Sequence, residues 1–305
     1  MKKANIKTAM LLLVAAMTTV ACSSNDAGDT ASTVLPVSVT ATVADMQTRA
    51  TNITISNLAD FGLYINPDVS ATTWSSSQVT KASESWTLAT PITWDTEKTA
   101  SVVAYAPYQT TSLITVPTTA GGAPTMTLSA NTSDTSEPID WLYNYQASVT
   151  PAAGTPLPIT FHHAMSRLRV TVGMNSELAG YSVTKVWVEG TLTNGTLTLS
   201  ATPAVAASGA AADVFATNKD ESATDIYSAF LVPQSVSAGT LKIHITVSKD
   251  GTPRSYTYSP AADATFGMGK AYGLSLTLGK YAVTLNGSGI TGLTSWGDAA
   301  NEPDL

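Results

Sequence analysis

The chain has 305 residues, room for about two ordinary domains, and 44% of them are hydrophobic. Only 12% are charged, the formal net charge is -7, and no run of lysine or arginine occurs beyond the first residues. That balance excludes the basic face that a nucleic acid requires, so no nucleic-acid partner is expected.

Met1 to Ala21 reads as a signal peptide. Lys2, Lys3 and Lys7 form a positive start, "AMLLLVAAM" is a short apolar core, and small residues precede Cys22. The apolar stretch is shorter than the roughly 20 residues of a membrane span. Cys22 is the single cysteine, so no disulfide accounts for it. Placed directly after "TVA", it resembles the acylated cysteine of a bacterial lipobox, with Thr19 where leucine is usual. The "SSNDAGD" behind it reads as a polar tether.

Beyond the tether, apolar residues recur with period 2, and no long stretch shows a helical period. "LPVSVTATV" (35–43) places Val37, Val39, Ala41 and Val43 on one face and Ser38, Thr40 and Thr42 on the other. The polar "ADMQTRATN" follows, where a protease specific for arginine could cut between Arg49 and Ala50. Arg49 reads equally well as an ordinary surface arginine.

Further alternating runs cover residues 61–65, 101–105, 168–172, 183–188, 196–200, 241–247, 272–278 and 281–285, with Gly-, Pro- and Asn-rich turn signals between them. "TNGT" (193–196) is expected to be a tight hairpin, because Asn-Gly tolerates positive φ. Any helix is expected in the Ala-rich "AVAASGAAADVF" (204–215). The whole pattern predicts an all-β protein of antiparallel β-sandwiches. The Pro-rich "TPAAGTPLP" (150–158) marks the best boundary, giving units 50–160 and 161–305.

Chemistry is sparse. No nucleophile motif is present, and single carboxylates suggest no acid–base pair. His162 and His163 are neighbours in "FHHAMSRLRVTV", and adjacent side chains of an extended strand point to opposite faces, so they cannot share one metal ion. His244 shares a face with Lys242 and Thr246 and is expected to face solvent. No catalytic, cofactor or metal residue is assigned, and the chain is not expected to be an enzyme. Tryptophans 74, 86, 94, 141, 187 and 296 read as packing residues more readily than as a sugar-stacking platform.

Several stretches together resemble the fimbrillins, the type V pilins and related surface lipoproteins of gut and oral anaerobes. They are Cys22, "TRA" (48–50), "WDTEKTASVVAYAPY" (94–108), "ITFHHAMSRLRVTV" (159–172), "AFLVPQSVSAGTLKIHI" (229–245), "FGMGKAYGLSLTL" (266–278) and "VTLNGSGITGLTSW" (283–296). The resemblance implies two tandem transthyretin-like β-sandwich domains and a subunit lipidated at Cys22, carried to the outer membrane and displayed on the surface in a fimbrium. An Arg-specific or trypsin-like protease would remove residues 22–49 and leave Ala50 as the mature start. Donor-strand exchange with other pilin subunits, in a homopolymer or a mixed pilus, would follow, for adhesion to a host or bacterial surface ligand.

The best donor is the C-terminal stretch, in which Tyr281, Val283 and Leu285 alternate with polar or small residues and Ile290, Leu293 and Trp296 follow. The same stretch reads alternatively as the last strand of its own domain. A second functional reading is a monomeric outer-membrane lipoprotein that binds glycans or host proteins. In the 161–172 segment, Leu168, Val170 and Val172 are expected inward and Arg167, Arg169 and Thr171 outward. One histidine is expected to bond to backbone, and the other to be exposed.

Overall fold

The computed structural model describes residues 34–44, 58–83, 85–217, 225–293 and 296. The first half supplies β1 (Val34–Pro36), β2 (Val39–Val43), β3 (Asp60–Asn66), β4 (Ser75–Ala82), β5 (Ser85–Leu88), β6 (Thr93–Asp95) and β7 (Ala100–Ala106). It continues with β8 (Ile114–Thr115), β9 (Thr125–Ser129), β10 (Leu142–Val149) and β11 (Leu157–His163). Then come β12 (Ser166–Met174), β13 (Ser182–Thr198), β14 (Ala204–Ala216), β15 (Ile226–Leu231) and β16 (Gln234–Val236). The last strands are β17 (Lys242–Lys249), β18 (Thr252–Tyr258), β19 (Ala264–Phe266), β20 (Ala271–Leu278) and β21 (Val283–Gly292). The one helical element among the described residues is a 3-10 turn, Ser176–Leu178, capped by the Asn175 side chain. The all-β expectation holds.

β2, β11, β10, β7, β3, β4 and β5 form a seven-stranded sheet in that order, antiparallel except where β2 runs parallel to β11. Its central strand β7 is buried along its whole length, which explains the apolar run "ASVVAYA". Ala100, Val102, Ala104 and Ala106 face one core, with Phe61, Leu63, Ile159 and Phe161. Val103 and Tyr105 face another, with Met126, Trp141, Met165 and Phe230.

A second pair of sheets follows. One is β15-β12-β20-β21, and the other is β18-β17-β13-β9-β8 with β14 on the far side of β13. Leu168, Val170, Leu274 and Leu276 of the first sheet meet Val186, Val188, Ile243 and Ile245 of the second in one core, so these sheets pack face to face as a sandwich. Pairing crosses the division expected at residue 160: β11 runs through it, and β9 bonds to β13 from Asn194↔Ser129 to Thr198↔Thr125.

Three local expectations are corrected. Asn194-Gly195 is not a hairpin turn, because β13 runs straight through it, paired with β9 on one side and β14 on the other. A Cβ at Gly195 would lie 2.6 Å from Val232 Cγ1, so this glycine serves close packing, not positive φ. The Ala-rich stretch is not helical either. It forms β14, whose ladder partner β13 overrides local propensity. Finally, Arg167 and Arg169 do not reach solvent; each is 1% exposed, because β12 is covered on both faces.

Candidate functional site

Cys22, Arg49 and Ala50 lie outside the described residues. The strand that precedes Arg49 is described. β2 alternates buried and exposed along its length, and Val37, Val39, Ala41 and Val43 pack into the core of the seven-stranded sheet. As the edge strand of that sheet, β2 has one ladder, from Val39↔Leu157 to Val43↔Phe161. β1 pairs separately with β6, Val34↔Asp95 to Pro36↔Thr93. Two backbone bonds complete the seat: Val37 N–H to Ile92 O at 2.8 Å and Ala44 N–H to Phe161 O at 2.7 Å.

The C-terminal stretch forms β21, the edge strand of the four-stranded sheet, paired antiparallel with β20. Val283, Leu285 and Ile290 are half-buried against the sandwich core, and Tyr281 is exposed. The ladder is interrupted between Gly273 and Ser275, opposite Gly287 and Gly289, which both have positive φ. Past the strand, Leu293 and Trp296 pack at the third core, between the two halves of the chain.

Trp296 is the anchor of this stretch. Its ring stacks on His163 at 4.1 Å and lies 6.1 Å from Phe230. Arg167 donates from Nη1 to Trp296 O at 2.7 Å and from Nε to Ser228 Oγ at 3.0 Å. His163 Nδ1 shares a hydrogen bond with Asp140 Oδ1 at 3.1 Å and lies 2.9 Å from Oδ2. The buried histidine therefore bonds a carboxylate, not backbone as expected. His162 is exposed, on the opposite face.

Sequence reasoning missed this junction, because Asp140, His163, Arg167, Ser228 and Trp296 come from separate segments. The faint signal was Ser228 within the apolar "IYSAFL", which stands directly opposite Arg169 in the ladder. A second polar cluster surrounds His244, which is held on both sides, Nε2 to Glu189 at 2.7 Å and Nδ1 to Thr257 at 3.0 Å, while its ring stacks on Trp187 at 4.8 Å. Lys242 also bonds Glu189, and these two contacts, the lysine first, hold that carboxyl below its ordinary range.

Of the other tryptophans, Trp94 and Trp141 are buried, Trp86 packs on Phe61 at 5.1 Å, and Trp74 lies against the third core. Burial drives the Tyr105 phenol up to about 12, so it is a packing residue and a hydrogen-bond donor to Gln109 O. Among the described residues no group of three or more His, Cys, Asp or Glu could hold a metal ion, and no helix is long and apolar enough to cross a membrane.

A family model described as fimbrillin-like matches residues 48–295. This chain belongs to the fimbrillin-like family. No curated protein matches it. The fold of this fimbrillin-like chain is shared with a candidate cell adhesion protein of Bacteroides uniformis, at 18% identity over 86% of this chain and 99% of the other, with a TM-score of 0.57. A candidate cell adhesion protein of Bacteroides ovatus gives 17% identity over 85% and 98%, with a TM-score of 0.59. Mfa3, described as the tip fimbrial protein of Porphyromonas gingivalis and solved with a C-terminal truncation, gives 8% identity over 87% and 100%, with a TM-score of 0.52.

Proposed function

We propose that this fimbrillin-like chain is a structural subunit of a surface fimbria that serves adhesion. It is exported as a lipoprotein acylated at Cys22, matured by an Arg-specific or trypsin-like protease between Arg49 and Ala50, and polymerised by donor-strand exchange. The C-terminal stretch from Tyr281 to Trp296 is the donor, and the groove left by residues 34–43 is the acceptor. Its two domains divide after β11, which ends at His163 and belongs whole to the seven-stranded sheet, with β8 and β9 lent to the second.

One observation carries this reading. The strand upstream of Arg49 and the C-terminal strand are both edge strands with one apolar face. Each can leave its sheet by giving up a single ladder, whereas removing a central strand would break two. Departure of residues 37–43 uncovers the seat of Val37, Val39 and Val43, each worth about 1.5–3 kcal/mol when fully buried. It also bares the edge of β11, which favours capture of another strand.

The test is Arg49→Ala beside a truncation after Gly279. Wild type is expected to give SDS-resistant ladders that begin at Ala50. Arg49→Ala should give full-length membrane-bound protein without ladders, and the truncated chain should be cut at Arg49 yet fail to assemble. Normal filaments from either variant would refute the mechanism.

A further inference from the structure

The connection from β9 to β10 forms a cavity of about 260 Å³. Its lining among the described residues is mostly polar: Ser129, Asn131, Thr132, Ser133, Ser136 and Glu137. Ala130 and Ile139 add a small apolar patch. The loop is pinned at several points. Ala130 N–H donates to Thr193 O at 2.8 Å, Trp141 Nε1 to Ser129 O at 3.0 Å and Asn131 Nδ2 to Ser136 O at 3.0 Å. The cavity is therefore built before a ligand arrives, and binding orders little of the chain. Ser133 shares its hydroxyl with Thr135 at 3.0 Å. Among the described residues, the hydroxyls of the exposed Ser129, Thr132 and Ser136 have no protein partner.

A row of rings lies beside this loop. On the face of β13 that looks away from the core, Trp187 stands between His244 of β17 and Phe215 of β14, with ring centres 4.8 and 6.4 Å away. All three are half-buried, so part of each ring reaches solvent. Two contacts join the row to the loop. Phe215 N–H donates to Asn131 O at 3.0 Å. Lys185, whose Nζ lies 4.5 Å from the centre of the Phe215 ring, pairs with Asp134 at 3.0 Å.

The lining decides between classes of ligand. Glu137, on a chain of net charge -7, disfavours an anion. It is the one carboxylate in the lining among the described residues, short of the acidic oxygens that hold a divalent cation. A wholly apolar molecule would strip water from the hydroxyls and leave them unpaired. A neutral sugar suits both halves of the site. Its hydroxyls donate and accept, as those of serine and threonine do, and its C–H faces pack against aliphatic and aromatic carbon. At about 260 Å³ the cavity is smaller than the ~300–1,000 Å³ that encloses a drug-sized ligand, so it suits one ring of a longer chain.

We propose that the cavity and the rings beside it are a binding site for a neutral oligosaccharide. One pyranose ring sits in the cavity, bonded by the hydroxyls of Ser129, Thr132 and Ser136, and the next unit lies across Phe215 and Trp187. Such a site rests on the adhesion part of the proposed function, to which it adds a ligand class, and it needs no strand exchange.

The experiment is isothermal titration calorimetry of the purified chain with neutral trisaccharides of glucose, galactose, mannose and N-acetylglucosamine, beside sulfated forms of the same sugars. At least one neutral trisaccharide is expected to bind, and more tightly than its sulfated form. Thr132→Val with Ser136→Ala, both at exposed positions, should weaken that binding at least tenfold, and Phe215→Leu at least fivefold. Ladder formation by the same variants should match wild type. No heat from any neutral trisaccharide at millimolar concentration, tighter binding of a sulfated form, or an affinity that either set of substitutions leaves unmoved overturns the carbohydrate site. Each of those results leaves the strand-exchange reading standing. Normal sugar binding by a chain that never polymerises overturns that reading and leaves the site intact.

Discussion

His163 shows how one side chain joins two parts of the chain. Its Nδ1 is 2.9 Å from the buried Asp140 carboxylate, and its ring is the floor on which Trp296 stacks. Removing the imidazole leaves a carboxylate in the interior without its partner, a defect that costs about 3–5 kcal/mol. It also takes away the support of the last anchored residue of the C-terminal stretch. His163→Ala is therefore expected to lower the unfolding free energy read from a urea titration by an amount in that range. It should also speed amide exchange through residues 283–293 more than in β17. Exposed His162 is the built-in control: His162→Ala should leave both measurements near wild type. Equal effects from the two substitutions would show that the Asp140 and Trp296 contacts contribute little.

Among elements, legibility followed the pleat. The alternation at Val37, Val39, Ala41 and Val43 is visible in sequence and reappears as burial, and Ile243, Ile245 and Val247 do the same in β17. Such faces can be read locally because a strand's side chains must alternate. What could not be read was each element's neighbourhood. Arg167 and Arg169 looked solvated from β12 alone; only the packing of both faces of that strand, with Ser228 on β15 as a partner, puts them inside. Asn194-Gly195 looked like a turn until Val232 was known to press against it. That contact yields a direct expectation. In Gly195→Ala the new methyl overlaps Val232 Cγ1 and must push apart β13 and the segment after β15, which costs about 1–3 kcal/mol. A chemical denaturation curve within 0.5 kcal/mol of wild type would show that the site relaxes freely.

For the whole molecule, cutting the chain and losing the strand are separate events, and the proposed assembly needs both. After cleavage at Arg49, residues 34–43 would be held only by noncovalent contacts: one ladder to β11, the short β1–β6 pairing and four apolar side chains. In the proposed assembly these contacts would give the cut subunit a slow step before it accepts a donor. A reversible tether separates the two events. Thr42 and Thr160 face each other across the β2–β11 ladder, with their hydroxyl oxygens 3.3 Å apart on the exposed side. Thr42→Cys with Thr160→Cys, in a Cys22→Ala background that leaves no other thiol, therefore places two sulfurs within reach of a disulfide. The oxidised protein is expected to be cut at Arg49 at the normal rate, yet retain the strand and form no ladders when mixed with competent subunits as acceptor. Reduction should release the strand and start polymerisation with a lag set by its dissociation. If the oxidised, cleaved protein accepts donors as readily as the reduced one, the groove beside β11 is not the acceptor, and strand exchange must run through another edge.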